Sequence, residues 1–217
     1  MADPVIYIDS EAALRGLTAL QKDQYPFALA KALTNVAKLA RMRVQAVTRE
    51  KFKLHGEFIP RGIRVQFAQK MDLVRWGFIQ SAVYTGNKIT DFMAYHETGG
   101  TKEPAGNSLA IPSYDIKKKK YRTSTGRVAK RWRPKTLLDK GTAKRKAFIL
   151  PARGGKSAVI ARRTSKRKRP LVFLYHLQRR AKIRPVWGFE DTVRNVAEAN
   201  FTRAFTQSMS RAIASIH

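Results

Sequence analysis

Residues 171–217 read LVFLYHLQRRAKIRPVWGFEDTVRNVAEANFTRAFTQSMSRAIASIH, and this stretch decides the fold. Residues 171–177 are a short apolar run rich in β-forming side chains, which predicts a strand buried on both faces. Pro185 ends regular structure there. From Phe189 onward apolar residues recur at steps of three and four, so they share one face of a long helix. That face comprises Val193, Val196, Ala197, Phe201, Ala204, Phe205, Met209 and Ile213.

Charges at the two ends of this segment support the helix. Glu190 and Asp191 stand in its first turn, where the helix dipole favours acids. Arg203 and Arg211 come late, where the dipole favours bases. The segment from Phe189 to the end of the chain is therefore predicted to be one helix.

The N-terminal part of the chain predicts an extended arm and then two helices. Residues 1–9 form the arm, and Asp9 or Ser10 can cap a short helix that carries leucines at 14, 17 and 20. Pro26 breaks this helix and fits the first turn of a second one, which extends to about Phe52. The apolar positions of the second helix are Leu29, Leu33, Val36, Ala37, Ala40, Val44 and Val47.

The opposite face of the second helix is basic. Simple solvation explains such a face as well as binding does. Its cations are Lys31, Lys38, Arg41, Arg49 and Lys53.

The middle of the chain predicts a small antiparallel sheet. Residues 63–67 alternate between apolar and polar, as a half-buried strand does. Residues 73–79 and 82–84 are two further strand candidates, and polar positions among them indicate one solvated face. Residues 95–101 are predicted to form a loop, and residues 109–112 return to the core. The predicted fold is α+β, with long N- and C-terminal helices packed on this small, mostly antiparallel sheet.

Charge is the unusual property of the composition. The 217 residues include 44 lysines and arginines against 15 acids, a formal net charge of +29. Residues 116–169 alone hold 22 of these cations and a single acid, Asp139. We interpret them as a long, partly mobile basic excursion from a single domain that spans 1–217, pinned by short strands at 148–150 and 158–160. Such a chain needs an anionic partner, with nucleic acid as the first candidate and an anionic membrane or an acidic protein surface as the second.

Enzyme chemistry and cofactor binding find little support in the sequence. The chain has no cysteine, and its four histidines (His55, His96, His176 and His217) have no partner at metal-ligand spacing. Gly155-Lys156-Ser157 lacks the preceding glycine of a phosphate-binding loop, so a hairpin turn is the better interpretation. No apolar run approaches the length of a membrane span. A metal-dependent nuclease or integrase-like enzyme stays as an alternative, for which the available carboxylates are Asp91, Glu97, Glu103 and Asp115.

Phosphate contact is the chemistry that the basic window favours. Tyr114, Tyr121 and Trp132 stand among the cations, where aromatic rings can stack on bases, although three rings are a weak signal. No recognition helix, zinc finger or RNA-binding signature accompanies them, so sequence-specific readout is not expected. The residues predicted to contact nucleic acid or an acidic partner are Lys117, Lys118, Lys119, Lys120, Arg131, Arg133, Lys166, Arg167, Lys168 and Arg169.

Residues 171–205 carry a resemblance to a known family. An apolar strand (LVFLYHL), a basic turn with proline (RRAKIRPVWGFEDTV) and a helix with ANFTRAF resemble phage minor tail protein Z, the tail-completion proteins of lambda-type tails. The order of elements agrees over most of the chain: LRGL at 14–17, the break at Pro26, an alanine-rich helix and a basic middle. The middle agrees in composition only.

The resemblance implies a structural role in a virion. Proteins of this family form rings, commonly of six copies, where the tail meets the head. Implied partners are further copies of the chain, the tail tube or tail terminator protein, the head connector or portal-side protein, and genomic DNA through nonspecific phosphate contacts. The implied location is the virion neck, and the host cytoplasm during assembly. No cofactor is expected. The runner-up hypothesis is a sequence-nonspecific nucleic-acid-binding protein of ribosomal or nucleoid type, which rests on charge alone.

Overall fold

A computed structural model describes residues 19–138, 147–151, 157–164 and 170–215, apart from the side chains of residues 19–23 and 87–88. The chain divides into two units. The helical unit comprises residues 1–98 and 185–217, and the basic unit comprises residues 99–184. The sequence predicts one domain with a basic excursion, whereas residues 99–184 have strands and a buried cluster of their own. The predicted N-terminal arm and first helix fall almost entirely outside the described residues.

Long helices at both ends of the chain dominate the helical unit, as the sequence predicts, so the fold is α+β. None of its described helices is long and apolar enough to cross a membrane. Its elements are α1 (Ala19–Lys51), α2 (Phe58–Gly62), β1 (Ile63–Gln66), α3 (Met71–Trp76), β2 (Ala82–Thr85), α4 (Asn87–Thr98) and α6 (Phe189–Ala214).

Helices α1 and α6 pack against each other in antiparallel orientation. Tyr25, early in α1, meets Phe205, late in α6, with ring centroids 5.7 Å apart. Val44, late in α1, shares a buried cluster with Phe189 and Val193 at the start of α6. All seven apolar positions predicted for α1 are buried. In the last turns of α6 the buried positions are Ser208 and Ala212, one residue before the predicted Met209 and Ile213.

Pro26 lies inside α1, so the predicted break at this residue is wrong. Proline removes one backbone hydrogen bond and crowds the preceding turn, which costs about 3 kcal/mol in a helix interior. Tyr25, Ala28 and Leu29, on both sides of the proline, are fully buried, and their burial offsets this cost.

The start of α6 is fixed by residues from distant parts of the helical unit. Trp187 is buried, and its indole N–H donates to Thr48 Oγ1 at 2.9 Å. Lys51 Nζ donates to the Trp187 carbonyl at 2.8 Å. Gly188 adopts a left-handed conformation (φ 68°) and has no capping side chain. Glu97 acts as the cap instead, because its carboxylate accepts the N–H groups of Phe189 and Glu190 at 2.8 and 3.0 Å.

Replacement of Glu97 by alanine is expected to lower the free energy of unfolding by about 1–2 kcal/mol, because two N–H groups at the positive end of α6 lose a charged acceptor. Urea unfolding followed by helical circular dichroism measures the change. Glu198→Ala is the matched control, since Glu198 is an exposed carboxylate in the middle of the same helix. Equal stability of the two variants would contradict the capping role.

Two of the predicted elements of the helical unit differ in the structure. Strands β1 and β2 pair antiparallel as predicted, and Ile63 pairs with Thr85. The predicted strand at 73–79 is wrong, because α3 occupies most of this segment and ends at Gly77, whose left-handed φ is 76°. The predicted loop at 95–101 is also wrong, because a helix covers residues 95–98 and residues 100–102 form a strand. Helix α4 extends through Thr98 because Ile89 and Met93, four residues apart, bury one helical face.

Antiparallel sheets form the frame of the basic unit. Four strands are ordered β4-β7-β6-β5, and a separate pair is formed by β3 and β8. Strands β5 and β6 pair antiparallel, which confirms the two short strands predicted at 148–150 and 158–160. The predicted turn at Gly155-Lys156 lies outside the described residues. The elements are β3 (Gly100–Lys102), β4 (Leu109–Pro112), α5 (Pro134–Leu138), β5 (Ala147–Leu150), β6 (Ala158–Arg163), β7 (Leu171–Gln178) and β8 (Ala181–Ile183).

Strand β7 forms at the predicted place but is not buried on both faces. Leu174 and Tyr175 are buried, whereas Phe173 and His176 are exposed. The register of β6 and β7 shifts here, because Ile160 pairs with Tyr175 and Ala161 with Phe173, which leaves Leu174 as the extra residue of a bulge. The bulge breaks the alternation of the strand, so the neighbours Leu174 and Tyr175 both join the buried cluster of the basic unit. The cluster comprises Ile116, Tyr121, Leu137, Ile160, Leu174 and Tyr175.

Candidate nucleic-acid interface

Positive charge is concentrated in the basic unit. Residues 99–184 contain 27 lysines and arginines against 3 acids, a net charge of +24. The helical unit contains 17 cations against 12 acids, a net charge of +5. The unit that supplies most of the +29 is therefore residues 99–184, and its described residues alone hold 17 cations against 2 acids.

The four consecutive lysines at 117–120 are held outward by buried residues on either side. Short 3₁₀ turns at Asp115–Lys117 and Lys119–Tyr121 carry them. Ile116 and Tyr121 point into the core and are fully buried, while all four lysines are exposed. Arg122 donates to the carbonyls of Lys117 and Gly126 and so ties the ends of this segment together. This stretch of the predicted mobile excursion is thus folded against the sheet.

Two of the three aromatic residues proposed for base stacking belong to the core. Tyr121 and Trp132 pack edge to face, with centroids 4.9 Å apart. The Tyr175 hydroxyl donates to the Trp132 carbonyl at 3.0 Å. The prediction that bases stack on Tyr121 is therefore wrong, since this residue is only 2% exposed.

Cations gather over the rings of this aromatic pair. Lys120 lies over Tyr121, with Nζ 5.1 Å from the centroid. Arg131 and Arg162 both lie over Trp132, at 5.5 and 5.0 Å. These contacts orient charged groups without neutralising them. Sequence reasoning missed Arg162, because only the register of β6 brings it to residue 132.

The structure brings together some of the predicted contact residues. Lys120 and Arg131 meet at the Tyr121–Trp132 pair, and Arg133 follows at the end of the same short turn, exposed. Lys118 is pinned by Asp115, whose Oδ1 lies 2.5 Å from Nζ. The predicted contacts at residues 166–169 lie outside the described residues.

The titration of Tyr175 in the basic unit is linked to folding. Burial raises the pKa of its phenol above the ordinary 10.0, and the charges of Arg122 and Arg133 partly oppose this rise. Because the folded-state pKa is raised, the neutral phenol contributes its full share of the folding stability below pH 10. This stability is lost as the pH rises through the folded-state pKa.

We therefore expect alkaline destabilisation that depends on Tyr175. Tyr175→Phe is expected to cost about 1 kcal/mol at neutral pH, because the hydrogen bond to Trp132 is lost. Above pH 10 the variant is expected to lose less stability than the parent protein. Unfolding free energies measured across this range test the expectation, with the exposed Tyr114→Phe as control. Parallel curves for the Tyr175 variant and the parent would contradict the assignment.

The carboxylates considered for metal-dependent catalysis are dispersed. Glu97 is engaged as the cap of α6, and Asp115 binds Lys118. Asp91 belongs to the helical unit and Glu103 to the basic unit. Among the described residues, no group of three or more histidines and acids is placed to hold a metal ion.

A second basic surface follows the exposed face of α1. Lys31 lies 5.6 Å from the Phe27 ring centroid and Lys38 lies 5.1 Å from that of Phe67, beside a surface pocket of about 580 Å³. This surface is less charged than the basic unit. It therefore offers an internal control for any measurement of anion binding.

Comparison with protein-family models, curated proteins and solved structures finds no match to this chain.

Proposed function

We propose that this chain is a structural protein of a tailed-bacteriophage virion, a tail-completion protein that joins the tail to the head connector, and that the basic unit contacts DNA there. The observation that carries the DNA contact is the charge of residues 99–184, which hold +24 of the +29 and whose described residues hold 17 cations against 2 acids. Lysines mounted outward on buried anchors form a surface suited to phosphates.

The place in the virion is supported by the family resemblance of residues 171–205. In the structure these residues form β7, β8 and the first half of α6. A nearly neutral helical unit suits a chain that must pack against copies of itself, because charge repulsion there is small. Ring assembly with tail and head-connector proteins remains part of this proposal.

A sequence-nonspecific nucleic-acid-binding protein of ribosomal or nucleoid type is the second candidate function. The same charge concentration favours it, since phosphate contact needs no virion. The charge of the basic unit also suits an acidic protein surface. The two functions differ in what the protein accompanies in the cell.

Sedimentation of a native lysate separates the two functions. The protein is followed with an antibody before and after nuclease treatment. Association with tail-bearing or DNA-filled particles that survives nuclease supports the virion role. Loss from the heavy fractions after nuclease, or migration with ribosomes, overturns the virion role and supports the second candidate.

A further inference from the structure

Tyr114 is the aromatic residue of the lysine-rich segment that remains at the surface. It is 79% exposed, whereas Tyr121 is buried and Trp132 packs on it. A large ring left in water forgoes the free energy that its burial provides. Tyr114 stands three residues before the first of the four lysines, which makes this exposure informative.

The backbone around Tyr114 is fixed on both sides. Ser113 N–H donates to the Leu174 carbonyl at 2.9 Å, and the Ser113 hydroxyl donates to the Phe173 carbonyl. Ile116, two residues after Tyr114, is fully buried. The ring therefore projects from a backbone segment that is anchored to β7 and to the core, so its presentation to solvent is defined by the fold.

A cation lies beside the ring in a defined position. Lys118 Nζ is 5.6 Å from the Tyr114 centroid and is also bound to Asp115 Oδ1. This hydrogen bond and the Asp115 charge raise the pKa of Lys118, so it stays charged. Lys117, Lys119 and Lys120 extend from the same turns into solvent. An oriented ring beside several cations is the arrangement that binds an unpaired base and its phosphates.

We infer that Tyr114 is a stacking platform for an unpaired base, so that the basic unit prefers single-stranded nucleic acid, with the neighbouring lysines on its phosphates. The inference rests on the proposed contact with nucleic acid and specifies the form of nucleic acid that binds. Bases inside a duplex are already stacked on each other and cannot reach the ring. Duplex DNA therefore engages the lysines alone.

The test compares two ligands and four forms of the full-length protein. Affinities are measured for a DNA single strand of about 16 nucleotides and for a duplex of equal length. Tyr114→Ala is expected to weaken single-strand binding by about 5- to 100-fold and to leave duplex binding within about twofold. Tyr114→Trp is expected to keep single-strand affinity. Trp76→Ala is the control, because Trp76 is a 68%-exposed aromatic residue of the nearly neutral helical unit.

The outcomes separate this inference from the function on which it rests. Selective loss of single-strand binding in Tyr114→Ala, with recovery in Tyr114→Trp, supports the platform. If the parent protein binds duplex DNA but Tyr114→Ala changes neither affinity, the platform is overturned and the nucleic-acid contact stands. The same holds if Tyr114→Ala weakens binding of both ligands equally. If the parent protein binds neither the single strand nor the duplex but binds polyglutamate, a model of an acidic protein surface, the nucleic-acid contact itself is overturned.

Discussion

Replacement of the four lysines at 117–120 by glutamine is expected to weaken duplex DNA binding on the order of 100-fold at about 0.15 M salt. Each lysine in contact with phosphate adds about 0.9 to the steepness of log affinity against log salt. Lys118 is already bound to Asp115, so three contacts are counted and the slope is expected to become shallower by about 2.7. Fluorescence anisotropy at several salt concentrations measures both quantities.

Stability is expected to be unchanged in this variant, because the four side chains are exposed and the buried anchors remain. The matched control neutralises four exposed cations of the basic face near α1, Lys31, Lys38, Arg41 and Lys53. That control is expected to keep its affinity within about threefold, since the helical unit carries a net charge of only +5. An equal loss of DNA affinity in both variants would show that binding depends on the total charge of the protein and not on the lysines of the basic unit.

Trp187→Ala is expected to lower the free energy of unfolding by about 3–5 kcal/mol. The indole is 4% exposed, packs 4.9 Å from the Phe189 ring and donates a buried hydrogen bond to Thr48. Truncation leaves a cavity at the point where α1, the start of α6 and the β1–β2 pair share a buried cluster. Urea unfolding followed by helical circular dichroism measures the effect.

Two further variants separate the contributions of Trp187. Trp187→Phe keeps much of the volume and loses the hydrogen bond, so a cost of roughly 1–2 kcal/mol is expected. Trp76→Ala removes an exposed indole and is expected to change stability by less than about 0.5 kcal/mol. A Trp187→Ala protein as stable as Trp76→Ala would contradict the described core.

Periodicity predicts the two long helices, apart from the break at Pro26, because their apolar residues are numerous and regular. Leu29, Leu33 and Val36 follow helical spacing, and all are buried. Strand β7 is also predicted within one residue, from an apolar run bounded by charges. Long elements with a strong period leave little freedom in their assignment.

Short elements were mispredicted where local signals compete. In α3 the β-forming residues Val74 and Trp76 suggest a strand, but Gly77 ends a helical turn there. In α4 the Thr-Gly-Gly sequence suggests a loop, although Ile89 and Met93 have helical spacing. Burial of these two residues against the helical-unit core decides between the alternatives.

The sequence predicts which residue types form the candidate interface, but not which of their side chains are buried or in contact. The lysine run at 117–120 is evident from the sequence alone. The burial of Tyr121 and the approach of Arg162 to Trp132 depend on the packing of distant segments against the sheet. No local pattern encodes such a contact, so the exposed Tyr114 could not be told apart from its buried neighbours.

Lysine acetylation footprinting of the full-length protein, with and without duplex DNA, tests the central claim most directly. The basic unit is predicted to contact the DNA, so the lysines at 117–120 should be protected from acetylation when DNA is bound. Lys31 and Lys38 on α1 should react equally in both samples. Protection of the α1 lysines with continued reactivity of the basic-unit lysines would contradict the account.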